Sequence, residues 1–150
     1  MKLAGEHRFA APRDRVWQAL LDPEVLAGTL PGFQRLERVG DHEYAGTLAL
    51  GVGPVQGRFD GRVQLTDLQA PEAYRLQMSG RGTPGYVDGT GSVRLAEDGD
   101  GTVMSYEIEV NVGGRIAGVG QRLLEMTGKS LSRQALDRLA RRIETDEQQA

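Results

Sequence analysis

Four side chains in this sequence could offer a polar atom inside an otherwise apolar space: His7, Tyr44, Tyr74 and Tyr106. Each falls on the apolar side of an alternating, strand-like stretch. An imidazole or a phenol placed there can donate a hydrogen bond to a ligand oxygen. Acid–base catalysis asks for more, namely several titratable groups converging in one pocket. The inward sides of the strands carry no other ionisable group, so the pattern favours binding over catalysis. The plainer readings are a core histidine bonded to a neighbour and tyrosines packed in the core with their hydroxyls satisfied at its rim. His42, the other histidine, sits in the turn after Gly40-Asp41 and is expected at the surface. Two histidines so far apart do not suggest a histidine metal site. No catalytic residue and no metal ligand is assigned.

Two short motifs fail their context tests. Gly80-Arg81-Gly82-Thr83-Pro84-Gly85 has the G-x-G-x-x-G spacing, but a dinucleotide loop must open a helix and here a strand follows. Gly128-Lys129-Ser130 ends like a phosphate-binding loop, yet Leu123 stands where the earlier glycine belongs. Composition excludes more. The chain has 150 residues, no cysteine and a formal net charge of −3. Disulfides, thiolate chemistry and cysteine-held metals are therefore absent, and the global basic charge of a nucleic-acid binder is missing. No run approaches the roughly 20 apolar residues that cross a bilayer, and the first residues do not read as a signal peptide. A cytoplasmic protein is expected, with at most peripheral contact at the inner face of a membrane.

The elements that must position these groups are legible from period and turn chemistry. Residues 55–66 alternate without a break: Val55, Gly57, Phe59, Gly61, Val63 and Leu65 on one side, polar residues on the other. Similar stretches predict strands near 2–9, 33–39, 43–50, 73–81, 86–96 and 102–112, separated by short turns that imply antiparallel neighbours. Pro12 opens a helix carrying Val16, Trp17 and Leu20, and Asp22 caps a second short one that Gly28 ends. Leu30-Pro31-Gly32 reads as a turn. After Gly113-Gly114, a helix is expected from about Arg115 to Ile143, with Ile116, Gly120, Leu123, Thr127 and Leu131 on one face. Arg122, Lys129 and Arg133 fall on its far side as a solvated stripe. The domain is expected over 1–143, followed by a short polar tail, 144–150. Arg138, Arg141 and Arg142 suit the helix C-terminus, where positive charge complements the dipole; docking to an anionic surface is the alternative.

The fold class is α+β: a curved seven-stranded antiparallel sheet gripping a long C-terminal helix, with two short helices after the first strand. Glycines recur on the apolar sheet face at 46, 57, 61, 80, 89 and 91. Either something packs very close there or a hollow is left. One helix rarely fills the space inside such a sheet, so an internal cavity on the order of 300–1,000 Å³ is expected. Its lining would draw on His7, Phe33, Tyr44 and Leu48, then Phe59, Tyr74, Met78 and Val87. Met104, Tyr106 and Ile108 follow from the last strand, and Ile116, Gly120, Leu123 and Thr127 from the helix.

The opening run Ala11-Pro12-Arg13-Asp14-Arg15-Val16-Trp17-Gln18-Ala19-Leu20, then Asp22-Pro23-Glu24-Val25-Leu26, resembles the START-like helix-grip superfamily, also called SRPBCC. Within it, Leu30-Pro31-Gly32, Val52-Gly53-Pro54-Val55, Ser105-Tyr106-Glu107-Ile108-Glu109 and Val112-Gly113-Gly114-Arg115-Ile116-Ala117 resemble the carbon monoxide dehydrogenase CoxG family. The resemblance spans roughly residues 1–140. It implies a non-catalytic accessory protein of a molybdenum hydroxylase complex. It also implies a hydrophobic ligand, a quinone or a lipid, held in the helix-grip cavity with no tightly bound cofactor, and a part in membrane recruitment. Phe33 departs from the small residue or cysteine that often follows Pro-Gly in that family. Alternatives from other classes are a small cyclase or hydrolase on the same fold and a protein-binding assembly factor with a filled core. Two or more inward ionisable groups beside His7 would favour the first; a cavity with room only for water would favour the second.

Overall fold

The computed structural model describes residues 1–29 and 32–149. Seven strands form one antiparallel sheet: β1 (Lys2–Phe9), β2 (Phe33–Gly40), β3 (Glu43–Val52), β4 (Val55–Gln69), β5 (Ala73–Gly82), β6 (Gly85–Asp98) and β7 (Gly101–Gly113). Their order across the sheet is β1-β7-β6-β5-β4-β3-β2. The first strand thus pairs with the last, Leu3 opposite Ile108 and His7 opposite Met104. Hairpins join β2 through β7 in sequence, as their short turns dictate. Register keeps one set of residues on the inner face throughout: Gly61 faces Gly80, Gly80 faces Val87, and Gly91 faces Ile108. The pairing shifts between Thr66 and Gln69, where Asp67 takes a positive φ of 50°. Such a bulge bends a strand and increases its twist.

Two helices, α1 (Arg13–Leu20) and α2 (Pro23–Ala27), carry the chain from β1 at one edge to β2 at the other. Asp22 caps α2, its carboxylate accepting from the Glu24 N–H at 2.9 Å, which satisfies one of the free N–H groups of the first turn. Of the turn expected at Leu30-Pro31-Gly32, the first two residues lie outside the described residues. The Thr102 hydroxyl, fully buried, donates to the Ala11 carbonyl at 2.8 Å and ties the start of β7 to the β1–α1 connection.

The last helix differs from expectation at both ends. Arg115–Val119 is a 3-10 segment, Gly120 breaks the chain at φ 99°, and α3 runs Gln121–Gln149. A residue at that φ lies outside the helical region, so the helix cannot pass through position 120. At the other end the polar residues after Ile143 continue the helix. Glu144 accepts from the Ala10 N–H at 2.8 Å, and Asp146 pairs with Arg15 and Arg142. Tertiary partners hold a segment whose composition reads as a tail. Arg138, Arg141 and Arg142 consequently lie more than one turn before the helix end, which removes the dipole explanation for them. His42 is half-buried rather than exposed, at φ 54°: the Leu65 N–H donates to its carbonyl and draws the turn onto β4.

Candidate functional site

The inner face of the sheet carries two apolar clusters with a band between them. At the end covered by α1 and α2, Phe9, Val16, Trp17, Tyr44, Leu65, Tyr74, Val93, Leu95 and Met104 pack against Leu139, Ala140 and Ile143 of α3. At the loop end, Val52, Phe59 and Ile116 are buried, with Leu50, Val87, Val112, Val119, Leu123 and Leu124 around them. Between these lie Phe33, Leu48, Gly61, Met78, Gly80 and Ile108 on the sheet and Thr127 and Leu131 on α3. All are partly exposed, and none belongs to either cluster. Gly61, Met78, Gly80 and Ile108 are inward-facing residues on central strands. Partial exposure there means that the space between sheet and helix is reached by solvent.

The glycines divide the same way. A side chain at Gly89 would meet Met78 Cε at 2.7 Å, and one at Gly91 would meet Ile108 Cγ1 at 2.8 Å. Gly46 and Gly57 are likewise covered, by Arg35 with Leu36 and by Pro84. At these four positions glycine serves close approach and no hollow lies in front of it. Gly80 has Phe59 atoms and the Val87 carbonyl at ordinary contact, 3.6 Å and beyond, and Gly61 has only the Ser79 carbonyl at 3.2 Å. Opposite each other on β4 and β5, these two form the floor of the band.

A cleft of about 280 Å³ opens between β1, at the sheet edge, and α3. It is smaller than the cavity expected from the glycine pattern, and it is open to solvent. Leu3, His7, Tyr106 and Leu136 give it an inner wall, and Glu6, Lys129, Ser132, Arg133 and Asp137 stand around it. Helix and strand run side by side here. Leu3 packs against Gly128, and Glu144 reaches Ala10. The sixteen residues of helix and seven of strand between those contacts both span roughly 23–24 Å. Gly128 therefore does for the helix what Gly5 does for the strand. A side chain at Gly5 would strike Tyr106 Oη at 2.8 Å, so the phenol lies across that position and faces the cleft. His7 packs its ring on Phe9 with centroids 4.8 Å apart. Among the described residues, neither His7 nor the Tyr106 hydroxyl hydrogen-bonds to the protein. Both polar groups are free at the mouth.

The other residues named from sequence fall elsewhere. Tyr44 is a core residue whose hydroxyl donates to the Leu21 carbonyl at 2.6 Å, which ties α1 to the sheet. Tyr74 is buried edge-on to Trp17, with ring centroids 5.6 Å apart. Burial pushes its phenol pKa well above the ordinary value, and neighbouring Tyr44 adds to the shift. Met104 is in the same cluster; Phe59, Val87, Ile116 and Leu123 form the other. Gly120 is exposed in the break before α3, with open space in front of it. Phe33, Leu48, Met78, Ile108 and Thr127 belong to the band. Sequence reasoning missed Leu3, Gly128, Leu136, Lys129 and Arg133. Leu3 shares the alternation of His7 and could have been found; the helix residues needed the rotation of α3 about its axis. The far-side stripe is in part a near-side rim, since Lys129 and Arg133 line the cleft.

A second groove, about 290 Å³, crosses the outer face of the sheet. Its side chains include Arg62, Gln77, Asp88 and Glu109 from the outward-facing set. Its lining mixes polar and apolar groups, and Met78 and Gly89 reach it as well. Among the described residues there is no cluster of three or more potential metal ligands from His, Asp or Glu, and no helix is long and apolar enough to cross a membrane.

Comparison with known proteins agrees with this architecture. A conserved protein from Geobacillus kaustophilus has a TM-score of 0.91 at 29% identity, covering 97% of this chain and 96% of that one. The ZhuI aromatase/cyclase from Streptomyces sp. R1128 has a TM-score of 0.69 at 18% identity, over 96% and 93% of the two chains. Ara h 8.0201 has a TM-score of 0.68 at 13% identity, over 97% and 98%. At such identities the last two establish a shared fold alone. No curated protein matches the sequence. The profile of the carbon monoxide dehydrogenase CoxG family matches residues 5–144. With that match across nearly its whole length, and a seven-stranded sheet gripping a C-terminal helix, this chain belongs to the carbon monoxide dehydrogenase CoxG family.

Proposed function

We propose that the protein is a non-catalytic binder or carrier of a hydrophobic small molecule, a quinone or a lipid, and serves a molybdenum hydroxylase of the carbon monoxide dehydrogenase type. The observation that carries this reading is the band of partly exposed inward apolar residues, Leu48, Met78 and Ile108, that belong to neither buried cluster. Apolar surface held open to water inside a domain is stabilised by a ligand that covers it. His7 and Tyr106 supply hydrogen bonds at the mouth, enough to orient a ligand oxygen. Beside His7, the one inward ionisable group is Tyr106; Glu6 alternates outward, and Lys129, Arg133 and Asp137 are exposed at the rim. That arrangement supports binding over acid–base catalysis. Any membrane contact is peripheral, through exposed cations such as Arg138 and Arg141.

Native mass spectrometry of the detergent-free protein with decylubiquinone or a single-chain lipid tests the reading. One bound molecule is expected, lost in Gly61→Leu, which fills the floor of the band. A wild-type protein that retains neither compound defeats the carrier assignment.

A further inference from the structure

We propose that the β1–α3 cleft selects apolar molecules that carry an anionic group at one end, a carboxylate or a phosphate, and that Lys129 and Arg133 hold that group at the rim. This rests on the reading above, that the protein binds an apolar molecule.

Many cations of this molecule are already paired: Lys2 with Glu107, Arg8 with Asp98, Arg35 with Glu37, Arg81 with Asp88 and Arg142 with Asp146. Lys129 and Arg133 are not. Among the described residues neither makes an ion pair or hydrogen bond, although both line the cleft one helical turn apart. Two acids share that lining and must be weighed against them. Glu6 belongs to the outward-alternating set of β1, so its side chain leaves the opening. Asp137 is on α3, where each step of four residues turns about 40° beyond a full circle. The buried stripe of the helix passes through Leu139, Ala140 and Ile143. Counted from that stripe, Lys129, Arg133 and Asp137 turn progressively away, and Asp137 is farthest. The cations therefore stand nearest the opening, next to the apolar wall of Leu3 and Leu136. Ser132, between them, is engaged with the Gly128 carbonyl at 2.9 Å. Cations beside a wall of Leu3, Leu136 and the Tyr106 ring match an amphipathic anion: its chain lies on that wall, and its charge stays at the surface, where it is not desolvated.

Two dyes isolate the charge. 8-Anilinonaphthalene-1-sulfonate and N-phenyl-1-naphthylamine share one apolar body and differ by the sulfonate. Fluorescence titration of the full chain at low salt is expected to give tighter binding of the sulfonate by about three- to tenfold. The double variant Lys129→Gln/Arg133→Gln is expected to bind both equally and to bind the neutral dye as the wild type does; Lys129→Arg should keep the preference. Equal affinities in the wild type overturn the inference and leave the apolar site standing. A preference that survives in the double variant overturns the assignment to Lys129 and Arg133. A wild type that does not bind the neutral dye removes the apolar site, and the inference with it. Competition against the neutral dye then separates the two headgroups. Displacement by dodecanoate or by dodecyl phosphate supports the inference and says which is preferred. Dodecanol competing as well as both overturns it.

Discussion

Tyr74 and His7 are both polar residues on the inner face, and their surroundings give them opposite roles. The Tyr74 phenol is held neutral by burial. Because its folded-state pKa is raised, the stability linked to its protonation is complete below pH about 10. It is lost as pH rises from there toward the folded-state value, at no more than about 1.4 kcal/mol per pH unit. Thermal melting between pH 8 and 11 should show a steeper loss for the wild type than for Tyr74→Phe; parallel curves would remove Tyr74 as the source. Among the described residues, His7 stands at the mouth with no hydrogen-bond partner. His7→Phe should weaken quinone binding about three- to tenfold, the worth of one hydrogen bond of roughly 0.5–1.5 kcal/mol. Binding of a saturated hydrocarbon chain should change less. Equal losses for both would show that His7 acts through packing.

At the scale of elements, the decisive feature is the break between β7 and α3. The 3-10 segment places Ile116, 2% exposed, into the loop-end cluster, and closes the lumen at that end. Gly120 then turns the chain into α3 at φ 99° and ψ 148°, a region that L side chains avoid. Gly118, two residues earlier, carries no such constraint and has open space in front of it. Gly120→Ala is therefore expected to cost about 1–3 kcal/mol in urea denaturation. Gly118→Ala should be neutral or stabilise by up to ~1 kcal/mol, by narrowing the unfolded ensemble. Equal costs for the two would mean that the break tolerates a helical residue. The same pair explains why sequence reading ran one helix through 115–143. A glycine inside an apolar repeat looks like a weak helix position, and only its φ distinguishes a weak position from a stop.

For the molecule as a whole, the question is where the sheet is truly open. Gly80 and Gly89 look identical in the sequence, each an inward glycine in an alternating strand. Gly80→Leu places its side chain in the band and should cost less than 1 kcal/mol while blocking ligand uptake. Gly89→Leu collides with Met78 and should cost ~1–3 kcal/mol, as overpacked cores do. Denaturation beside a lipophilic-dye assay checks both; the reverse order of costs would move the lumen across the sheet. Strand number, the hairpin pairing of β2 through β7 and the inward set were legible in the sequence, because alternation with period two and short turns constrain each strand locally; the pairing of β1 with β7 was not, since no short turn joins them. Also legible was the small stock of inward polar groups, and with it the preference for binding over catalysis. The tertiary structure alone decided which glycines are covered and which are bare, since that depends on side chains from the neighbouring strand. It also decided that Tyr44 and Tyr74 belong to the core, because α1 lies over their end of the sheet. Last, it decided that Lys129 and Arg133 face the cleft. A helix repeats every 3.6 residues whatever it packs on, so its sequence describes a stripe but not the direction in which the stripe points; contacts at Leu3 and Ala10 set that direction.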